Sequence, residues 1–202
     1  MKSKLWLTLT VLLFLVVNTS YFWMGKFGSL ALPVFIILIL VFLVLCFALL
    51  QQFYFLIKDN FKDRNKNLTI GLMCTLLVLT FFKPKGIINF ESFESKAVLI
   101  AQREGVANCM TILKLKENNR FKERVVCFGI SEVTGNYRIK NDTIFFNDIV
   151  HGLEEDDFFE FAVIKPSKGF NDANHFEMIR YKNKQDTVGD FLYVIKNELN
   201  KN

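Results

Sequence analysis

Four consecutive acids, Glu154, Glu155, Asp156 and Asp157, with Glu160 just after them and His151 just before, form the densest set of metal-competent side chains in the chain. Carboxylate oxygens suit a hard cation such as calcium or magnesium. A dedicated calcium loop, however, spaces its ligands and places a glycine at its centre, and this run does neither. It reads as a solvated acidic turn. His151 and His175 are the two histidines, far apart and outside any zinc-ligand spacing. No nucleophile elbow, phosphate loop or Gly-rich dinucleotide turn occurs. Asn-X-Ser/Thr tripeptides begin at Asn18, Asn67 and Asn141. Two lie in or against apolar runs and the third in a tight turn, so none is expected to be glycosylated. The expectation is a non-enzymatic protein with no catalytic, cofactor-binding or metal site.

Cys109 and Cys127 carry a more definite signal. The segment 108–127 holds two strand-like stretches joined by a polar turn at Glu117, Asn118 and Asn119. Folding about that turn sets Leu115 opposite Phe121, Leu113 opposite Glu123, Thr111 opposite Val125, and Cys109 opposite Cys127. The odd-numbered face then collects most of the larger side chains, while Lys114, Lys116, Lys122 and Arg124 share the other. A slip of one residue would exchange the faces, so the pattern itself selects the register. Directly opposed cysteines reach the roughly 5.5 Å Cα separation that a disulfide needs. A Cys109–Cys127 bond is therefore expected, provided that the compartment is oxidising. Cys46 and Cys74 lie inside apolar runs and read as packing residues.

The compartment follows from the first part of the chain. Residues 5–24 carry no charge and are long enough to cross a bilayer core of roughly 30 Å. Residues 29–57 form a longer uncharged run, joined to the first by the tight Gly25-Lys26-Phe27-Gly28 connection. Residues 68–84 give a shorter third run that reaches full length if Lys83 and Lys85 extend toward the headgroups. Tyr21, Phe22 and Trp23 match an interfacial aromatic belt, and no small-x-small site follows the first run. It is expected to remain as an uncleaved anchor. With three crossings, Lys2, Lys4, Lys58, Lys62, Arg64 and Lys66 share one side, against Lys26, Lys83 and Lys85 on the other. The positive-inside bias puts the N-terminus in the cytoplasm and everything after Lys85 outside. Lys exceeds Arg, and Asn, Ile and Phe are frequent, a bias that points to an A/T-rich bacterial genome. The expected location is thus a bacterial inner membrane.

The net charge of +5 could suggest nucleic acid, but its distribution argues otherwise. Residues 1–85 carry nine Lys/Arg against Asp59 and Asp63, which leaves 16 basic and 18 acidic residues for 86–202. A nucleic-acid interface needs its basic patch on the folded domain. No nucleic acid is expected as a partner.

Residues 86–202 read as one domain, beginning with a short connector. Short strand-like segments lie between turn signals from Lys96 onward, the signature of an antiparallel meander. Val133, Tyr137 and Ile139 alternate with Thr134, Asn136, Arg138 and Lys140, and Asn141-Asp142 supplies a two-residue turn. The stretch from Gly135 to Phe146 resembles hairpins of lipocalin-like β domains over about a dozen residues, a resemblance that carries no function. Val188, Phe191, Leu192, Ile195 and Leu199 fall on one face of a helix, and Thr187 with Asp190 fits a capping box. The predicted fold is three transmembrane helices (residues 1–85) followed by an α+β domain of six or seven antiparallel strands with one C-terminal amphipathic helix (residues 86–202). The expected partners are the lipid bilayer and a protein or ligand bound by the outer domain, in a protective or immunity role. The alternative is an accessory subunit of a membrane complex acting through its helices. No ionisable group lies deep in the apolar runs, so an ion pathway has no support.

Overall fold

A computed structural model describes residues 2–152, 158–167 and 176–199. The chain divides into two compact units, one made of Met1–Trp23 with Leu32–Phe93, the other of Met24–Ala31 with Glu94–Asn202.

The first unit is helical: α1 (Lys2–Asn18), α2 (Ser20–Trp23), α3 (Ala31–Lys58) and α4 (Arg64–Phe82). Helices α3 and α4 are each long and apolar enough to cross a membrane. The short third run seen in the sequence thus belongs to a 19-residue helix that starts earlier than expected. Its start is fixed by Asp63, whose carboxylate accepts from Asn65 N (3.0 Å) and Lys66 N (3.3 Å) as an N-cap. It stops ahead of Pro84, because a residue before proline is driven out of the helical region. The first run is the irregular one. It bends by 55° after Asn18, so it counts as a single span only if both limbs are taken together. Asn18 and Thr19 return hydrogen bonds to the carbonyls of Phe14 and Leu15, and such back-bonding bends helices. Asn18 Oδ1 also accepts from Ile87 N at 2.7 Å. Gln52 Nε2 reaches Met73 Sδ at 3.5 Å, the interhelical bonding expected of a polar residue in an apolar helix. Leu13 and Val17 of α1, Leu45 of α3 and Leu77 of α4 form the buried centre of this unit.

The second unit is a closed eight-stranded antiparallel barrel in sequential order. Its strands are β1 (Ala97–Glu104), β2 (Met110–Lys116), β3 (Arg120–Val126), β4 (Ile130–Lys140), β5 (Thr143–Val150), β6 (Phe161–Pro166), β7 (Phe176–Tyr181) and β8 (Asp190–Asn197). The opening hairpin has the predicted register, with Leu115 opposite Phe121, Leu113 opposite Glu123 and Thr111 opposite Val125. Asn141 and Asp142 take φ of 49° and 59°, the doubly left-handed geometry of a type I′ turn. Gly135 stands opposite Phe121, where a side chain at 135 would lie 2.7 Å from the ring.

Two expectations are corrected here. There are eight strands rather than six or seven, and the C-terminal amphipathic helix is strand β8. Phe191 to Ile195 is an unbroken apolar run, in which a helical stripe and an alternating strand cannot be told apart by period. The strand wins because β1 and β7 would otherwise each leave an unpaired edge, and β8 pairs with both. Leu192 turns inward and is fully buried, whereas Phe191 and Ile195, buried in the helical reading, face out. Asp190 caps nothing and pairs with two arginines instead.

Leu192→Ala should therefore cost about 2–5 kcal/mol, while Ile195→Ala, 60 % exposed, should stay within about 0.5 kcal/mol. Denaturation midpoints of the two variants measure the difference. Equal losses would fit the helix and not the strand.

Candidate functional site

Alternate residues of each strand point into the barrel. Leu99, Leu113, Leu115, Phe121, Ile144, Met178 and Leu192 fill the middle with almost no exposure. Phe158, from the β5–β6 connection, stacks on Phe121 at 5.1 Å and meets Phe146 edge-on at 5.4 Å. The described lumen is thus packed with side chains.

Four charges share this interior. Glu123 of β3 and Arg180 of β7 are both buried, and Arg180 is only 3 % exposed. One guanidinium nitrogen of Arg180 bonds Glu123 and the other bonds Asp190 of β8, whose second oxygen pairs with Arg103 of β1. The chain Glu123–Arg180–Asp190–Arg103 links four strands and is charge-balanced. It runs from the buried interior to the better-exposed Arg103. Arg180 also lies 4.1 Å over the Phe159 ring, a cation–π contact. Its Nε has no hydrogen-bond partner among the described residues. Burial pushes the Glu123 carboxyl above the ordinary glutamate range, and the Arg180 charge opposes that shift less strongly. With both terminal guanidinium nitrogens engaged by carboxylates, the group has the properties of a structural clasp rather than a reactive centre.

A second cluster lies on the outer face. Lys122 bonds Glu132 (2.8 Å) and Glu94 (3.4 Å), and Lys116 bonds Glu94 (2.8 Å). The 3-10 turn Met24–Lys26 packs against β4 here, and a side chain at Gly25 would lie 2.7 Å from Glu132 Cβ. Lys116 and Lys122, two of the lysines placed on this face by the sequence, are consequently paired and largely covered.

Cys109 and Cys127 face each other at disulfide distance, with Cα atoms 4.4 Å apart. Of the acidic set, 154–157 and His175 lie outside the described residues. Glu160 is exposed, and its backbone bridges β5 and β7 by accepting from Phe146 N and donating to Tyr181 O. No group of three or more metal-competent side chains occurs among the described residues. The ion-pair chain was not anticipated, although one signal was available. Glu123 falls on the apolar face of the opening hairpin, where an unpaired charge is too costly to stand alone. Its partners come from strands some 60 residues away, beyond the reach of any local pattern.

Comparison with protein-family models, curated proteins and solved structures finds no match for this chain.

Arg180→Met would leave the buried Glu123 carboxylate without its ion-pair partner and Asp190 with Arg103 alone, an expected loss of about 3–5 kcal/mol. Glu123→Gln keeps the Arg180–Asp190 pair and should cost clearly less. The raised Glu123 pKa means that the folded state binds the proton more tightly than the unfolded one. Wild type should therefore gain stability relative to Glu123→Gln as pH falls through that raised value toward the ordinary glutamate value. Thermal midpoints from pH 4 to pH 8, on the order of the range where such groups titrate, test both statements. Equal losses for the two variants, or a pH-independent difference, would contradict them.

Proposed function

We propose that this is a non-enzymatic, multi-pass protein of a bacterial inner membrane whose barrel lies outside the cytoplasm and binds a protein partner, in a protective or immunity role. The packed lumen carries the reading. With its described middle occupied by apolar side chains, the barrel offers its outer wall for recognition rather than a ligand cavity. Phe191 and Ile195 of β8 are exposed on that wall, and Phe161 and Tyr181 stack beside it at 5.1 Å. Exposed aromatic and aliphatic groups of this kind match the composition of interface centres.

The orientation draws on the six-to-three division of Lys/Arg and on a backbone contact. Gly28 bridges to Ile130 of β4. That bridge favours placing the connection between the first two apolar helices on the same side of the membrane as the barrel. A chain arranged so must pass inward through α3 and outward through α4, which supports the crossing of the third run. The apposed Cys109 and Cys127 agree with an oxidising exterior.

The alternative is an accessory subunit acting through its helices. A photo-crosslinking amino acid at Ile195 should yield a discrete protein adduct in cells, and one at Leu43 of α3 should not. Adducts at Leu43 alone would replace the first reading by the second. A periplasm-active reporter fused after Lys85 should be active, and non-reducing peptide mapping should find Cys109 joined to Cys127. A reporter active only in the cytoplasm, together with two alkylatable thiols, would move the barrel to the other side.

A further inference from the structure

In a sequential antiparallel barrel, alternate connections emerge at the same rim. The β1–β2, β3–β4, β5–β6 and β7–β8 connections share one rim of this barrel. On the opposite rim, the β2–β3 and β4–β5 turns are polar, built from Asn118, Asn119, Asn141 and Asp142. The first rim differs in kind. Val106, Phe128 and Val188 stand on three of its connections, 90 %, 75 % and 87 % exposed. We propose that this rim is a membrane-contacting surface of the barrel, with Val106, Phe128 and Val188 seated at the boundary between lipid headgroups and acyl chains.

Each tip is held in place by its own connection. After Val106 the backbone passes through two left-handed residues, Ala107 (φ 57°) and Asn108 (φ 59°), and the loop is closed by Gly105 N donating to Cys109 O at 2.7 Å. Phe128 itself takes φ of 53°, between Cys127 and Gly129, in a turn where Cys127 N donates to Gly129 O at 3.0 Å. A bulky side chain in the left-handed region is uncommon, and glycine or asparagine is the ordinary choice there. The Val188 loop is gathered around the Asp186 carboxylate, which accepts from Lys182 N (3.1 Å), Val188 N (3.2 Å) and Gly189 N (3.1 Å). These three backbone donors also hold the Asp186 carboxyl below the ordinary aspartate range. Three built loops thus present apolar tips that, in water, would gain nothing.

The choice of a bilayer as occupant comes from continuity along the chain. The segment Met24–Ala31 belongs to the barrel unit and seats at this same rim. Gly28 bridges to Ile130, a side chain at Gly129 would collide with Gly28 O, and one at Gly152 would lie 2.9 Å from Lys26 O. The same segment is flanked directly by the apolar runs that end at Trp23 and begin at Ala31. A rim bound to the short connection between two membrane-inserted segments lies at the membrane surface. The inference rests on the membrane-protein reading, and its test separates the two.

The full-length chain is reconstituted into phosphatidylethanolamine/phosphatidylglycerol vesicles containing a lipid with a photoactivatable group in its acyl chain. Labelled peptides are then mapped by mass spectrometry. Adducts are expected in α3 and in the peptides carrying Val106, Phe128 and Val188, and not in those carrying Asn118–Asn119 or Asn141–Asp142. The double variant Phe128→Asp/Val188→Asp should lower labelling of the Val106 peptide ~tenfold, since removing two apolar anchors outweighs 1.4 kcal/mol of insertion. Labelling of α3 with a bare rim would overturn this inference alone, and no labelling of α3 would overturn the membrane reading beneath it. The wild-type map needs no substituted protein, so a variant that fails to fold leaves the test intact.

Discussion

A β-sheet edge leaves a row of backbone N–H and C=O groups without partners, and closure is the arrangement that removes edges altogether. Here closure depends on one seam, where β1 near the start of the domain pairs with β8 near its end. Several interactions converge on it. Arg103 and Asp190 form an ion pair at one end of the seam, while Lys196 Nζ donates to Ala97 O at 2.7 Å and Lys96 pairs with Glu198 at the other. The register shifts between Ile100 and Ala101, a local irregularity that bends the strand where the sheet must curve onto itself. Without this seam, the β-meander would be an open ribbon with its apolar face half covered.

Closure also explains the buried charges. Once the barrel shuts, inward positions on opposite strands become neighbours, and an inward Glu123 can be tolerated only with a counter-charge across the lumen. Arg180 supplies it from β7, and Asp190 on β8 pairs with the second terminal nitrogen of the guanidinium. The chain then continues to Arg103 on β1, so the same four residues that neutralise one another also tie β3, β7, β8 and β1 together. Specificity of pairing is a reasonable return for burying charge, because a shifted register would separate these partners.

The segment Met24–Ala31 links this architecture to the helical part of the chain. Close approach matters here: a side chain at Gly25 would lie 2.7 Å from Glu132 Cβ, and one at Gly129 of the barrel would collide with Gly28 O. A connection that reads as a simple hairpin between apolar helices is, structurally, a piece of the barrel unit.

What the sequence determined by itself is local. Uncharged runs of sufficient length, the type I′ turn at Asn141–Asp142, and the β2–β3 register that sets Cys109 opposite Cys127 all follow from period and turn chemistry within about 20 residues, the range over which such patterns operate. Seven of the eight strands were legible for the same reason. Strand β8 was not, because an apolar run of Phe191, Leu192, Tyr193, Val194 and Ile195 satisfies both periods, and only a vacant edge on β1 selects between them. The partners of Glu123, the docking of Met24–Ala31 and the gathering of Val106, Phe128 and Val188 at one rim were likewise decided by tertiary structure. Each brings together residues far apart in the chain, and sheet closure rather than any local preference makes them neighbours.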